Sequence, residues 1–138
     1  MLAARETFTA RYPAVAESVG RARRAVAGYA AECGAAARQL DAVRLSVSEA
    51  LTNAIVHAYP GRSGEIRVLA GYTGGELWIV VSDDGRGLRA PSPTPGLGLG
   101  LALIAEVADE FEVAERDDGG TEARMCFRLG GDGAGLTG

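Results

Sequence analysis

The chain has 138 residues, a mass of 14.2 kDa, a net charge of −4 and an isoelectric point near 5.0. That length suits one domain with a real core, and the acidic balance excludes unaided nucleic-acid binding, which needs a basic patch. No apolar run approaches a membrane span and the N-terminus lacks the apolar core of a signal peptide, so a cytoplasmic protein without membrane partners is expected.

Residues 6–12 alternate as an edge strand that Pro13 ends. The next stretch places Val15, Val19, Ala22, Val26, Tyr29 and Cys33 on one helical stripe, with Arg21, Arg23 and Arg24 largely off it and Gly34 as a stop. A second helix is predicted over 36–58, closed by Pro60-Gly61, with Leu40, Val43, Val47, Leu51 and Ile55 as its apolar seam. Residues 65–72 and 76–82 read as a hairpin around Thr73-Gly74-Gly75, the second strand apolar on both faces and therefore buried. A third helix is predicted over 97–109, with Leu99, Leu103 and Val107 in register and Ile104 beside them. Residues 110–116 and 121–129 form a second hairpin around Asp117-Asp118-Gly119-Gly120. This order predicts an α+β protein, a two-layer α/β sandwich with helices on one face of a mixed, mostly antiparallel sheet. Residues 1–129 form the single domain, and 130–138, with five glycines in nine residues, form a disordered tail. Cys33 and Cys126 lack metal-ligand spacing and are expected to be reduced and buried.

Three runs carry chemistry. Glu49 and Asn53 lie four apart, about 40° and about 6 Å from each other on a helix, so they share a face at the edge of the apolar seam. Alone, such a pair is an ordinary polar stripe. Asp83-Asp84-Gly85-Arg86-Gly87 ends the buried strand. A carboxylate there can accept a hydrogen bond from an exocyclic amine, and glycines let a flat ligand come close. Alone, Asp-Gly is an ordinary turn signal. Gly96-Leu97-Gly98-Leu99-Gly100-Leu101 opens the third helix, leaving backbone N–H groups free for phosphate oxygens at the positive end of the helix dipole. Its spacing is not the Rossmann one, and no lysine stands beside it as in a P-loop.

Taken in order, the runs resemble the motifs of the GHKL ATPases: Glu49 and Asn53 the N box, Asp83, Gly85 and Gly87 the G1 box, and Gly96, Gly98, Gly100 and Leu101 the G2 box. Gly120-Thr121 resembles the final threonine motif. The stretch from Val47 to Tyr59 is most similar to the bacterial anti-sigma factor serine kinases of the SpoIIAB and RsbW type. The resemblance implies the Bergerat fold and ATP as cofactor, with Mg²⁺ held by Asn53. It implies Glu49 as the base acting on the attacking hydroxyl, and Asp83, supported by Thr121, as the reader of adenine. The glycines would shape the pocket and cradle phosphates. It further implies a serine/threonine kinase that phosphorylates an anti-anti-sigma protein of the STAS type, sequesters a sigma factor and forms a homodimer. Two alternatives stay open: a nucleotide-loaded anti-sigma switch with little or no kinase activity, and a detached histidine-kinase-type ATPase domain. The latter needs an acceptor histidine on a dimerisation hairpin. His57, the only histidine, is read instead as a packed or capping side chain. Residues 88–95, with Pro91, Pro93 and Pro95, stand where such proteins have an ATP lid, and are read either as a stiff lid or as a short connector.

Overall fold

In the computed structural model, residues 5–58, 64–85, 97–117 and 119–129 are described. The predicted tail, the Pro60-Gly61 stop, the proline-rich segment, Gly87 and Gly96 lie outside them. In chain order the elements are β1 (Arg5–Pro13), α1 (Glu17–Glu32), α2 (Ala37–Asn53), a π-helical turn (Ala54–Ala58), β2 (Glu65–Thr73), β3 (Glu76–Asp83), α3 (Leu97–Val107), β4 (Glu110–Glu115) and β5 (Thr121–Arg128). The five strands order as β1-β2-β3-β5-β4, and the pairing is antiparallel at every described interface.

The period-two pattern of the strands decides which sheet face is covered. Leu77, Ile79, Val81 and Asp83 of β3 are buried, as are Ile66, Val68 and Ala70 of β2 and Ala123, Met125 and Phe127 of β5. They meet Ala22, Val26 and Ala30 of α1, Val43, Val47 and Leu51 of α2 and Ile104 of α3 in one core. The result is the expected helix layer on one sheet face, with α2 and the π turn that follows it packed against β3.

Local chemistry fixes the joints. Gly34 ends α1 with φ +104°, and Ala35 N–H donates to Ala30 O while Gly34 N–H donates to Ala31 O, the paired bonds of a Schellman stop. Gln39 accepts from Ala36 N–H at 2.8 Å and donates to Arg128 O at 2.8 Å, tying the start of α2 to β5. The first hairpin closes on Gly74-Gly75, both at positive φ, with Thr73 opposite Glu76.

Three expectations shift. The predicted helix over 36–58 is α-helical only to Asn53 and widens into a π turn, because an apolar repeat does not separate 3.6 residues per turn from a wider turn over five residues. On α3, Leu103 is exposed while Ile104 is fully buried, so the seam runs through Gly100 and Ile104. Neither cysteine is in a disulfide among the described residues, and both are only half-buried: Cys33 caps α1, and Cys126 faces away from the helices between inward Met125 and Phe127.

Candidate functional site

The site begins on α2. Val43, Val47, Ala50 and Leu51 face the core, which turns Glu49 and Asn53 to the flank of the helix, each half-buried. The first turn of α3 packs against that flank. Gly100 is buried, and a Cβ built on it would stand 2.8 Å from Glu49 Oε1 and 3.8 and 3.9 Å from the two amide heteroatoms of Asn53. One missing methyl group therefore lets carboxylate, carboxamide and backbone meet. The N–H groups that open α3, from Leu97 on, have no acceptor within the helix. Their positive end lies beside the Glu49 carboxylate, a favourable placement for negative charge.

Asn53 Nδ2 is buried and has no hydrogen-bond partner among the described residues. An unpaired buried donor costs about 1–3 kcal/mol, so the arrangement calls for a polar partner beyond the described residues. Turned by half a rotation, the same amide presents a neutral hard oxygen, the donor type that suits Mg²⁺. The residues present thus fit a nucleotide with its metal.

A second cluster forms where β3 ends. Asp83 points to the helix side and is 5% exposed. Its Oδ1 accepts from Gly85 N–H at 3.0 Å and from Thr121 N–H at 3.4 Å, while Oδ2 has no partner among the described residues. Burial pushes its pKa up, and the two backbone donors pull part of that back. Thr121 sits opposite Asp83 in the β3–β5 register. Gly120 makes that approach possible, since a Cβ there would fall 1.9 Å from Asp83 O. A buried carboxylate with one oxygen held by amides and the other unengaged can receive an amine hydrogen bond.

Of the predicted residues, the structure brings Glu49, Asn53 and Gly100 together, and Asp83, Gly85 and Thr121 together. Gly98 lies on the first turn of α3, and Leu101 is half-buried against the core. His57 falls in the π turn, half-buried, with its pKa pushed down by burial. Sequence reasoning missed the neighbours of Asp84. Arg67 grips that carboxylate with two bonds of 2.9 Å and Arg116 with one of 2.8 Å. The adjacent acids at 83 and 84 were the available signal.

Residues 12–127 match the family described as histidine kinase-like ATPase domain. The chain belongs to that family. Membership implies ATP as the nucleotide. An anti-sigma F factor of Thermoanaerobacter sp. strain X514 is 33% identical over 122 residues, covering 80% of this chain and 85% of its own. A serine-protein kinase RsbW of Bacillus thuringiensis is 36% identical over 80 residues, covering 58% and 50%. An anti-sigma F factor of Clostridium acetobutylicum is 37% identical over 78 residues, and the chain spans about half the length of that relative, 54%. Among solved structures, the RsbU and RsbW domains of a Mycobacterium tuberculosis protein superpose with a TM-score of 0.72 at 26% identity, over 91% of this chain and 33% of that one. The kinship with SpoIIAB and RsbW proteins, expected from the stretch around Asn53, is thus borne out, as is the fold. No helix among the described residues is long and apolar enough to cross a membrane.

Proposed function

We propose that the chain is an ATP-dependent serine/threonine protein kinase and anti-sigma factor, which phosphorylates an anti-anti-sigma protein of the STAS type and sequesters a sigma factor. The observation that carries the reading is the meeting of Glu49, Asn53 and Gly100 at the first turn of α3, with Asp83 buried at the end of β3. Its relatives' names, anti-sigma F factor and serine-protein kinase RsbW, supply the partner class.

Each residue takes a role its surroundings suit. Asp83 accepts the adenine amine on Oδ2, with Thr121 and Gly85 fixing its other oxygen. Asn53 holds Mg²⁺ through its amide oxygen. Bound Mg²⁺·ATP supplies the phosphoryl group and neutralises its charge. Gly85, Gly87, Gly96, Gly98 and Gly100 shape the pocket and, with Leu101, the turn that cradles phosphates. Glu49 orients the acceptor serine or threonine hydroxyl and takes its proton as that oxygen bonds to the γ-phosphorus of ATP and the bond from that phosphorus to ADP breaks, ADP leaving. Residues 1–129 work as one ATP-binding domain, in the cytoplasm and as a homodimer, with 130–138 outside the catalytic unit.

The test is transfer from γ-labelled ATP to the purified cognate anti-anti-sigma protein, with capture of sigma measured beside it. Label on a serine or threonine of the partner is expected. Sigma capture without any label identifies a nucleotide-loaded switch instead.

A further inference from the structure

Asp83 and Asp84 are adjacent, yet they do different work. Asp83 faces inward and forms an Asx turn, its Oδ1 accepting from the N–H two residues on, that of Gly85. Asp84 is the middle residue of that turn and points outward, 51% exposed. Its carboxylate collects guanidinium groups from two other parts of the sheet. Arg67 of β2 donates Nη1 to Oδ2 and Nη2 to Oδ1, both at 2.9 Å. Arg116, at the start of the β4–β5 hairpin, donates Nη1 to Asp84 Oδ1 at 2.8 Å and to Asp83 O at 3.3 Å. The hairpin is itself tight, with Arg116 N–H donating to Gly120 O at 2.7 Å and Gly119 N–H to Arg116 O at 3.0 Å.

β3 ends at Asp83, so no sheet ladder fixes the turn at Asp84 and Gly85. Two independent pieces of chain must nevertheless aim their N–H groups at one oxygen: Gly85 from the turn and Thr121 from β5. The side chain of Arg116 reaches from the hairpin to the turn, and Arg67 anchors the same Asp84 carboxylate to β2. A lone exposed ion pair contributes little, but a bidentate guanidinium shared in a three-member network is geometrically restrictive.

The geometry points to Arg67, Asp84 and Arg116 as a positioning clamp that holds the Asx turn and the β4–β5 hairpin together, so that Asp83 presents Oδ2 to the nucleotide and selects adenine. This rests on the adenine role proposed for Asp83. The clamp residues touch no ligand and act through Asp83. Arg116 has an electrostatic part as well, its positive charge favouring the ionised Asp83 that burial disfavours. Asp84 is held ionised in turn, its pKa lowered first by the Arg67 hydrogen bond and further by Arg116.

The experiment uses the full chain and two readouts. In the nucleotide-free protein, NMR follows the Gly85 and Thr121 amides through pH titration and hydrogen exchange. Calorimetry then measures Mg²⁺·ATP and Mg²⁺·GTP. For Arg116→Ala, the Asp83 titration midpoint rises and the two amides exchange about tenfold faster or more. ATP affinity falls about tenfold and the preference over GTP narrows, the scale of one lost bond to a charged group. Arg116→Lys, which keeps the charge and one donor, restores part of both. Asp84→Asn keeps the turn residue and loosens both arginines, and decides the matter if Arg116→Ala fails to fold. Amides that stay as protected as in the wild type, with ATP affinity within twofold, overturn the clamp. If the amides respond while the wild type does not distinguish ATP from GTP, the clamp stands and the adenine role of Asp83 falls.

Discussion

Asp83 meets opposing demands. It accepts an amine hydrogen bond most strongly when ionised, yet burial raises its pKa above the usual aspartate range. A carboxyl whose folded pKa is raised favours the folded state only while protonated, below its unfolded value, and that contribution is lost as pH rises through the folded value. At neutral pH the buried charge therefore costs stability. Asp83→Asn removes the charge and keeps the shape, so the nucleotide-free variant should melt at or above the wild type at pH 7. The difference should close as pH falls through the carboxylate range, as melting curves from pH 7 to 4 will show. The same variant should bind ATP more weakly, since its amide can turn a donor toward the adenine amine. A variant less stable than wild type at pH 7 would mean that the carboxylate is structural.

Gly100 poses a similar conflict between fold and site. An added Cβ would stand 2.8 Å from Glu49 Oε1, the far end of a side chain that can swing away. Gly100→Ala should therefore leave the melting temperature unchanged or raise it, since alanine stabilises a helix interior by roughly 0.5–1 kcal/mol over glycine. Phosphoryl transfer should fall about tenfold or more as Glu49 is displaced, because misplacement on the order of 1 Å can cost as much as 10². Unaltered transfer would separate Glu49 from the chemistry.

At the scale of elements, α2 is divided by face. Leu51 is fully buried, and Leu51→Ala should cost about 2–5 kcal/mol of stability in denaturant unfolding. Asn53, two residues on, should behave oppositely. Asn53→Ala removes an amide whose buried nitrogen has no partner among the described residues, so the nucleotide-free melt should change little, while the rise in melting temperature on adding Mg²⁺·ATP should shrink. Collapse of the nucleotide-free protein would make Asn53 a structural residue. This division of α2 was legible in the sequence, because a 3.6-residue period assigns both a core face and a flank. Both hairpins were legible from their glycine turns. The π turn after Asn53 was not, since one wide turn leaves no periodic trace. The seam of α3 was displaced by one residue because Gly100, which carries no apolar signal, is buried beside Glu49 while Leu103 is exposed. The clamp on Asp84 was not legible either: it depends on the register of β2, β3 and the β4–β5 hairpin, residues 67, 84 and 116, which no local pattern relates.

At the scale of the whole molecule, one sheet carries its helices on a single face, and α2 packs against both α3 and β3. Glu49 and Asn53 meet Gly100, and Asp83 meets Thr121, across elements far apart in sequence. A small domain is enough for the chemistry: phosphoryl transfer asks mainly for positioning and charge neutralisation, which one carboxylate, one amide ligand and a helix N-terminus can provide.

The most direct measurement of the kinase account is transfer from γ-labelled ATP to purified anti-anti-sigma partner in excess, wild type against Glu49→Gln. The variant keeps the shape of the side chain beside Gly100 and removes the base. It should bind ATP and sigma nearly as the wild type does, and its transfer rate should fall by about 10²–10⁴, the range of a lost general base. Equal transfer by the two proteins would contradict the role of Glu49, and transfer by neither, with sigma still bound, would contradict the kinase itself.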